Sequence, residues 1–165
     1  MAFLGSGESH IGQVGSPADV LVVTPTIDLA IYAAGDAVGG KQTLTSAVRI
    51  SGGKSVLESL VVLDKGNQKA ALTILFFDSD PTAATITNNA AFVFSTDISK
   101  VVGKIVVTAS DYETINSLAV ACLRNLGLEM KCSGSANLFV AVVTTGTPTY
   151  ASTTDLTFKY GFLQG

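Results

Sequence analysis

The chain has 165 residues, a formal net charge of −3, 47% hydrophobic residues and only 14% charged ones. That length suits one domain burying roughly 70% of its unfolded-chain surface, and the charged fraction lies well below the roughly 25% of an ordinary soluble domain. No basic stripe is present and the first lysine is Lys41, so a nucleic-acid partner is excluded. The longest uncharged stretch, residues 132–154, is interrupted by Gly, Pro and Thr, which excludes a membrane-spanning helix.

Residues 1–18 contain Gly5, Gly7, Gly12, Gly15 and Pro17 with few core formers, and they read as a flexible N-terminal arm. The start lacks the basic region and long apolar core of a signal peptide. Phe3, Leu4, Ile11 and Val14 are the apolar members of the arm and its candidate contacts with a partner or a neighbouring protomer. The remainder, residues 19–165, reads as one β-domain.

Residues 20–23 are apolar and stop at Pro25, which predicts an edge or the start of a strand. In residues 26–33, Ile27, Leu29 and Ile31 alternate with Asp28, Ala30 and Tyr32, the period of a half-buried strand. Residues 42–50 alternate again through Leu44, Val48 and Ile50. Residues 56–78 carry two apolar runs around Asp64-Lys65-Gly66-Asn67, a hairpin signal that would set Leu57 opposite Ile74. Both faces of that pair would be largely apolar, so each would need a cover.

Asp78-Ser79-Asp80-Pro81 predicts a turn, and residues 82–89 an exposed excursion. Ser95, Thr96 and Asp97 can all cap a single helical turn. Residues 104–108 read as a strand, 111–113 as a turn, and 115–123 with 126–131 as a hairpin across Asn125-Leu126-Gly127. Residues 138–145 and 156–163 are strands; the second places Leu156, Phe158, Tyr160 and Phe162 on one face. Eight to ten short strands with frequent turns predict an all-β fold. The expected form is a single antiparallel β-sandwich or jelly-roll-like barrel with at most one or two short helical turns.

Chemistry-bearing motifs are weak. Gly53-Lys54-Ser55 lacks the earlier glycine and the following helix of a phosphate loop. Asp78 and Asp80 lack the remaining ligands of a calcium loop. His10 is the sole histidine, so a His-assisted nucleophile or a zinc site is not expected. Asp111 and Glu113 could serve a glycosidase, but they flank a turn and the chain has no Trp. Cys122 and Cys132 read as free, buried thiols. No catalytic residue, metal or cofactor is expected.

Three stretches, residues 19–40 (DVLVVTPTIDLAIYAAGDAVGG), 67–107 (NQKAALTILFFDSDPTAATITNNAAFVFSTDISKVVGKIVV) and 135–165 (SANLFVAVVTTGTPTYASTTDLTFKYGFLQG), give the chain a further character. Together they resemble small structural proteins of tailed bacteriophages, most of all capsid decoration (cement) proteins. The resemblance implies a virion location on the outer head surface after synthesis in the bacterial host cytoplasm. It also implies a major capsid protein lattice as partner, a homo-oligomer that is commonly a trimer, and no catalysis. A tail fibre or baseplate component and a free ligand-binding β module are the alternatives.

Overall fold

In the computed structural model, which describes residues 18–165, the apolar runs become nine strands: β1 (Ala18–Val23), β2 (Gln42–Leu44), β3 (Lys54–Asp64), β4 (Leu72–Phe77), β5 (Val101–Val107), β6 (Tyr112–Ile115), β7 (Leu118–Lys131), β8 (Leu138–Thr144) and β9 (Leu156–Gln164). Short 3-10 turns at Thr96–Lys100 and Ala109–Asp111 are the helical content of the described residues. Five strands form one sheet in the order β1-β9-β3-β7-β6, and four form another in the order β2-β8-β4-β5. The expected all-β sandwich is therefore present. Its two sheets remain open and do not close into a barrel.

The pairings explain the order. β1 pairs with β9, β2 with β8, β3 with β7 and β4 with β5, all antiparallel. The chain is thus one long hairpin whose apex is the β4–β5 connection. Winding that hairpin brings β9 against β3 and β8 against β4. With β6 set aside, this is a jelly-roll arrangement, in which successive strands change sheets except at the β4–β5 apex.

That winding overturns the predicted local hairpin of residues 56–78. β3 and β4 lie in different sheets; Leu57 stands opposite Leu128 and Phe162, not Ile74. The turn-forming residues that suggested a hairpin instead build a crossover. Asn67 and Lys69 adopt positive φ, the Lys69 amide donates to Asp64 Oδ2 (2.8 Å), and the Lys65 amide donates to the Asp155 carbonyl (2.9 Å). Gly66 packs closely here: a Cβ would lie 3.1 Å from the Tyr150 ring, tighter than ordinary contact.

The predicted hairpin at 125–127 is also replaced. β7 runs unbroken through it, with Arg124 opposite Ser59 and Leu128 opposite Leu57, so Asn125 to Gly127 form a bulge against Glu58. Positive φ at Asn125 and Gly127 absorbs the extra residues. The true hairpin joins β6 to β7 through Asn116 and Ser117, both at positive φ, the geometry that suits the twist of a two-residue turn. Residues 112 and 113, expected in a turn, lie in β6.

Residues 26–33 form no strand. Ile27 and Tyr32 are buried while Leu29 and Ile31 are exposed, because the Ala30 amide donates to Asp28 Oδ1 (2.9 Å) and bends the segment. Of residues 42–50 only β2 is extended; Leu44 and Val48 are buried and Ile50 is exposed.

Between the sheets, the inward residues of β9 meet those of β3 and β4. Leu57, Leu60, Val62, Leu72, Ile74, Phe76, Phe158, Tyr160 and Phe162 are all buried. Phe76 of β4 meets Tyr160 of β9 edge-to-face, with centroids 5.9 Å apart, which joins the two layers directly. Phe76→Ala should therefore cost about 3–5 kcal/mol, read as a lower urea midpoint.

Asp64, 1% exposed at the end of β3, shares its site with Tyr112 and Tyr150. Its Oδ1 and both tyrosine hydroxyls have no hydrogen-bond partner among the described residues. Burial raises the Asp64 pKa above the ordinary carboxylate value, and the nearby Asp155 charge adds to this, against the pull of the loop amides. A carboxyl whose folded pKa is raised favours folding in acid, and that contribution is lost as pH rises through the folded value. Asp64→Asn should thus gain stability relative to the parent at pH 7 and lose that advantage at pH 4. Denaturant titrations at the two pH values would reveal it.

Candidate functional site

The residues with chemical potential do not converge. Lys54 and Ser55 open β3 and Ser55 is buried, so they form no phosphate loop. Asp80 pairs with Lys41 (2.5 Å), and Asp78 accepts the Ser79 hydroxyl (2.7 Å). Among the described residues no group of three His, Cys, Asp or Glu side chains is placed to hold a metal ion. Asp111 accepts from the Thr108 amide (2.7 Å) and hydroxyl (2.8 Å), closing a capping box. Glu113 points outward from β6.

The cysteines are free. Cys132 is buried, as expected, and burial, reinforced by Asp78, pushes its thiol up to about 11. Cys122 is exposed, contrary to expectation, because it lies on the outward side of β7 opposite Val61. A depression beside Cys132, lined also by Gly52, Asp78 and Lys131, holds a thiol kept protonated and no base paired to it. The contacts expected of Phe3, Leu4, Ile11 and Val14, and the position of His10, lie outside the described residues.

The apex of the folded hairpin, between β4 and β5, has the most built character. Residues 82–94 lie over the outer face of the four-stranded sheet, where Ile86 and Phe92 pack on Leu75, Phe77 and Ala141. The excursion predicted as merely exposed is therefore the cover of that sheet. Asn88 stitches it down: its Oδ1 accepts from Tyr32 Oη (2.7 Å) and the Gly39 amide (2.8 Å), and its Nδ2 donates to the Thr26 carbonyl (3.2 Å).

Asp97 does the same at the other end. The turn at Thr96–Lys100 was predicted from its capping residues, but the Asp97 side chain turns inward. Its carboxylate, 2% exposed, accepts from the Ala83 amide (2.5 Å) and the Ala84 amide (2.7 Å) and pairs with Lys100 (2.7 Å). The Lys100 ammonium, more than any other group, holds the Asp97 pKa below the ordinary carboxylate value, and the two amides act in the same direction against burial. Lys100 also donates to the Asp80 carbonyl (2.6 Å).

On this pinned frame Val93, Phe94 and Ile98 remain exposed at 52%, 39% and 60%. Phe94 is braced edge-to-face by Phe92 at 4.7 Å. The result is a set of exposed apolar side chains on a segment fastened by the buried Asp97 and its partly exposed partner Lys100. Such a surface can bind another protein without first ordering itself. The sequence gives apolar residues at these positions, but it does not reveal that Asp97 and Asn88 fasten them.

Because the Asp97 pKa is lowered, its contribution is present above the unfolded carboxylate value and is lost as pH falls through the folded value. Hydrogen exchange at the Ala83 and Ala84 amides should therefore accelerate in acid. Asp97→Ala should produce the same acceleration at neutral pH, with β3 and β9 amides still protected.

No known protein family and no curated protein matches the chain. Among solved structures, a chain of Desmodium yellow mottle tymovirus aligns over 98% of this chain and 89% of its own, with 16% identity and a TM-score of 0.26. A chain of the VP2 subviral particle of infectious bursal disease virus aligns over 92% of this chain and 42% of its own, with 14% identity and a TM-score of 0.20. Superpositions this loose do not bear on what the chain does.

Proposed function

We propose that the chain is a structural virion protein of a tailed bacteriophage, one that binds the outside of the assembled head and stabilises it without catalysis. The observation that carries this reading is the exposure of Val93, Phe94 and Ile98 on the segment that the Asp97–Lys100 pair fastens. A free module gains nothing from holding three large apolar side chains rigidly in water. A module that docks on protein does, since the ordering cost is already met.

The sequence resemblance supplies the partner, the major capsid protein lattice. Low charge suits contact with a protein surface. Copies that self-associate would touch several capsomers together, and weak contacts then reinforce one another through effective concentration. Binding the assembled lattice in preference to free subunits would stabilise the shell by mass action. The arm, through Phe3, Leu4, Ile11 and Val14, is proposed as a second contact.

The test is re-decoration of heads stripped of the protein, followed by antibody-labelled electron microscopy. The parent should label the head surface. A Phe94→Ser/Ile98→Ser variant with an unchanged circular dichroism spectrum should lose occupancy about tenfold or more, as expected when two apolar anchors are removed. Deleting residues 1–18 should also reduce occupancy while the β-domain stays folded. Label confined to the tail, or full occupancy by the double variant, would overturn the reading.

A further inference from the structure

The two sheets treat their outer faces differently. The four-stranded sheet is covered by residues 82–94. Among the described residues nothing covers the outer face of the five-stranded sheet. One row across it runs Val22, Lys159, Val61, Cys122 through the strand register, and the next includes Leu63 and Val120. Val20 and Val22 are 56% and 58% exposed at one edge, and Ile115 and Leu118 are 60% and 46% exposed at the other.

We propose that this face packs against the same face of a second copy of the chain. Size is the argument for it. Five strands at about 4.8 Å spacing by nine residues at about 3.3 Å give a face on the order of 700 Å², close to the roughly 800 Å² per partner of a stable interface.

Charge is compatible with a second copy. The register sets Lys54, Arg124, Lys131 and Lys159 on the face beside Glu113 and Glu129. None of these six is in an ion pair among the described residues, where the pairs are Lys41–Asp80 and Lys100–Asp97. With both signs present and unpaired, cations of one copy can meet carboxylates of the other. A face that meets its own counterpart closes a two-fold pair, in place of the three copies that the resemblance implies. The contact rests on the folded module and not on head binding, so either proposal can fail alone.

Cys122 is a built-in reporter, exposed on this face, while Cys132 is buried. Sedimentation and alkylation of the full chain would be measured together. The expected result is a mass of two chains, with Cys122 alkylation slowed about tenfold or more relative to a dissociated variant, since only the free chain reacts. Val61→Glu should give single chains with a parent-like circular dichroism spectrum. Val22→Lys, at the sheet edge, repeats the test should Val61→Glu not fold. A parent of one chain or of three would overturn the proposal. So would a two-chain parent whose Cys122 reacts as fast as in the variants. A single chain whose Cys122 is protected only while residues 1–17 are present would show that the arm covers the face, and would equally overturn it.

Discussion

The last strand must find its place between β1 and β3, and the five-stranded sheet is not complete until it does. β9 pairs with β1 on one side and β3 on the other, and both lie far back in the chain. Closing such loops costs chain entropy before any contact offsets it. The offset is the concentrated apolar content of β9: Phe158, Tyr160 and Phe162 are buried on one side of a single strand, each contributing roughly 1.5–3 kcal/mol. The stacked Phe158 and Tyr160 rings, together with the edge contact from Phe76, turn sheet completion and sandwich closure into one event. The buried Tyr160 hydroxyl has no partner among the described residues, so part of this gain is given back, by about 1–3 kcal/mol.

Once the hairpin is wound, the sandwich has two outer faces and one excursion long enough to cover either. Its apex falls between β4 and β5, so the excursion can reach only the four-stranded sheet. The outward side of β3, with Val61 and Leu63 half-buried, is covered by nothing among the described residues. The expectation that each apolar face of residues 56–78 has a cover holds for β4, whose outer face is covered by its own chain, although the local hairpin does not form.

Legibility in the sequence followed the strength of the two-residue period and the locality of the pairing. β8 was plain as a continuous apolar run and β9 from its alternating Phe158, Tyr160 and Phe162, and β1 was recognisable as an edge from Pro25. The β3–β4 crossover was misread because Asp-Lys-Gly-Asn serves a hairpin and a sheet change equally well. What decides between them is the burial of Asp64 against Tyr112 and Tyr150, residues remote in sequence. Asn125 and Gly127 misled for a related reason, since positive φ fits a bulge inside one long strand as well as a turn between two. Of the candidate site, the short helical turn was visible in Ser95, Thr96 and Asp97, although no side chain caps it. The staples were not, because nothing local marks Asp97 as the acceptor for Ala83 and Ala84.

Asp64 and Asp97 show how surroundings rather than burial alone set the behaviour of a carboxyl. Both are almost fully buried and both accept loop amides. Asp97 has a cation 2.7 Å away. Asp64 has none in an ion pair and faces Asp155 and two tyrosine hydroxyls instead. The first is therefore held ionised and the second is pushed toward protonation. Acid consequently acts in opposite directions on the two connections that flank β4. It relieves the buried charge at the β3–β4 crossover and removes the charge at Asp97. The sandwich and the segment that covers its four-stranded sheet are thus separable in stability, and a segment held by an ion pair can loosen while the aromatic core remains closed.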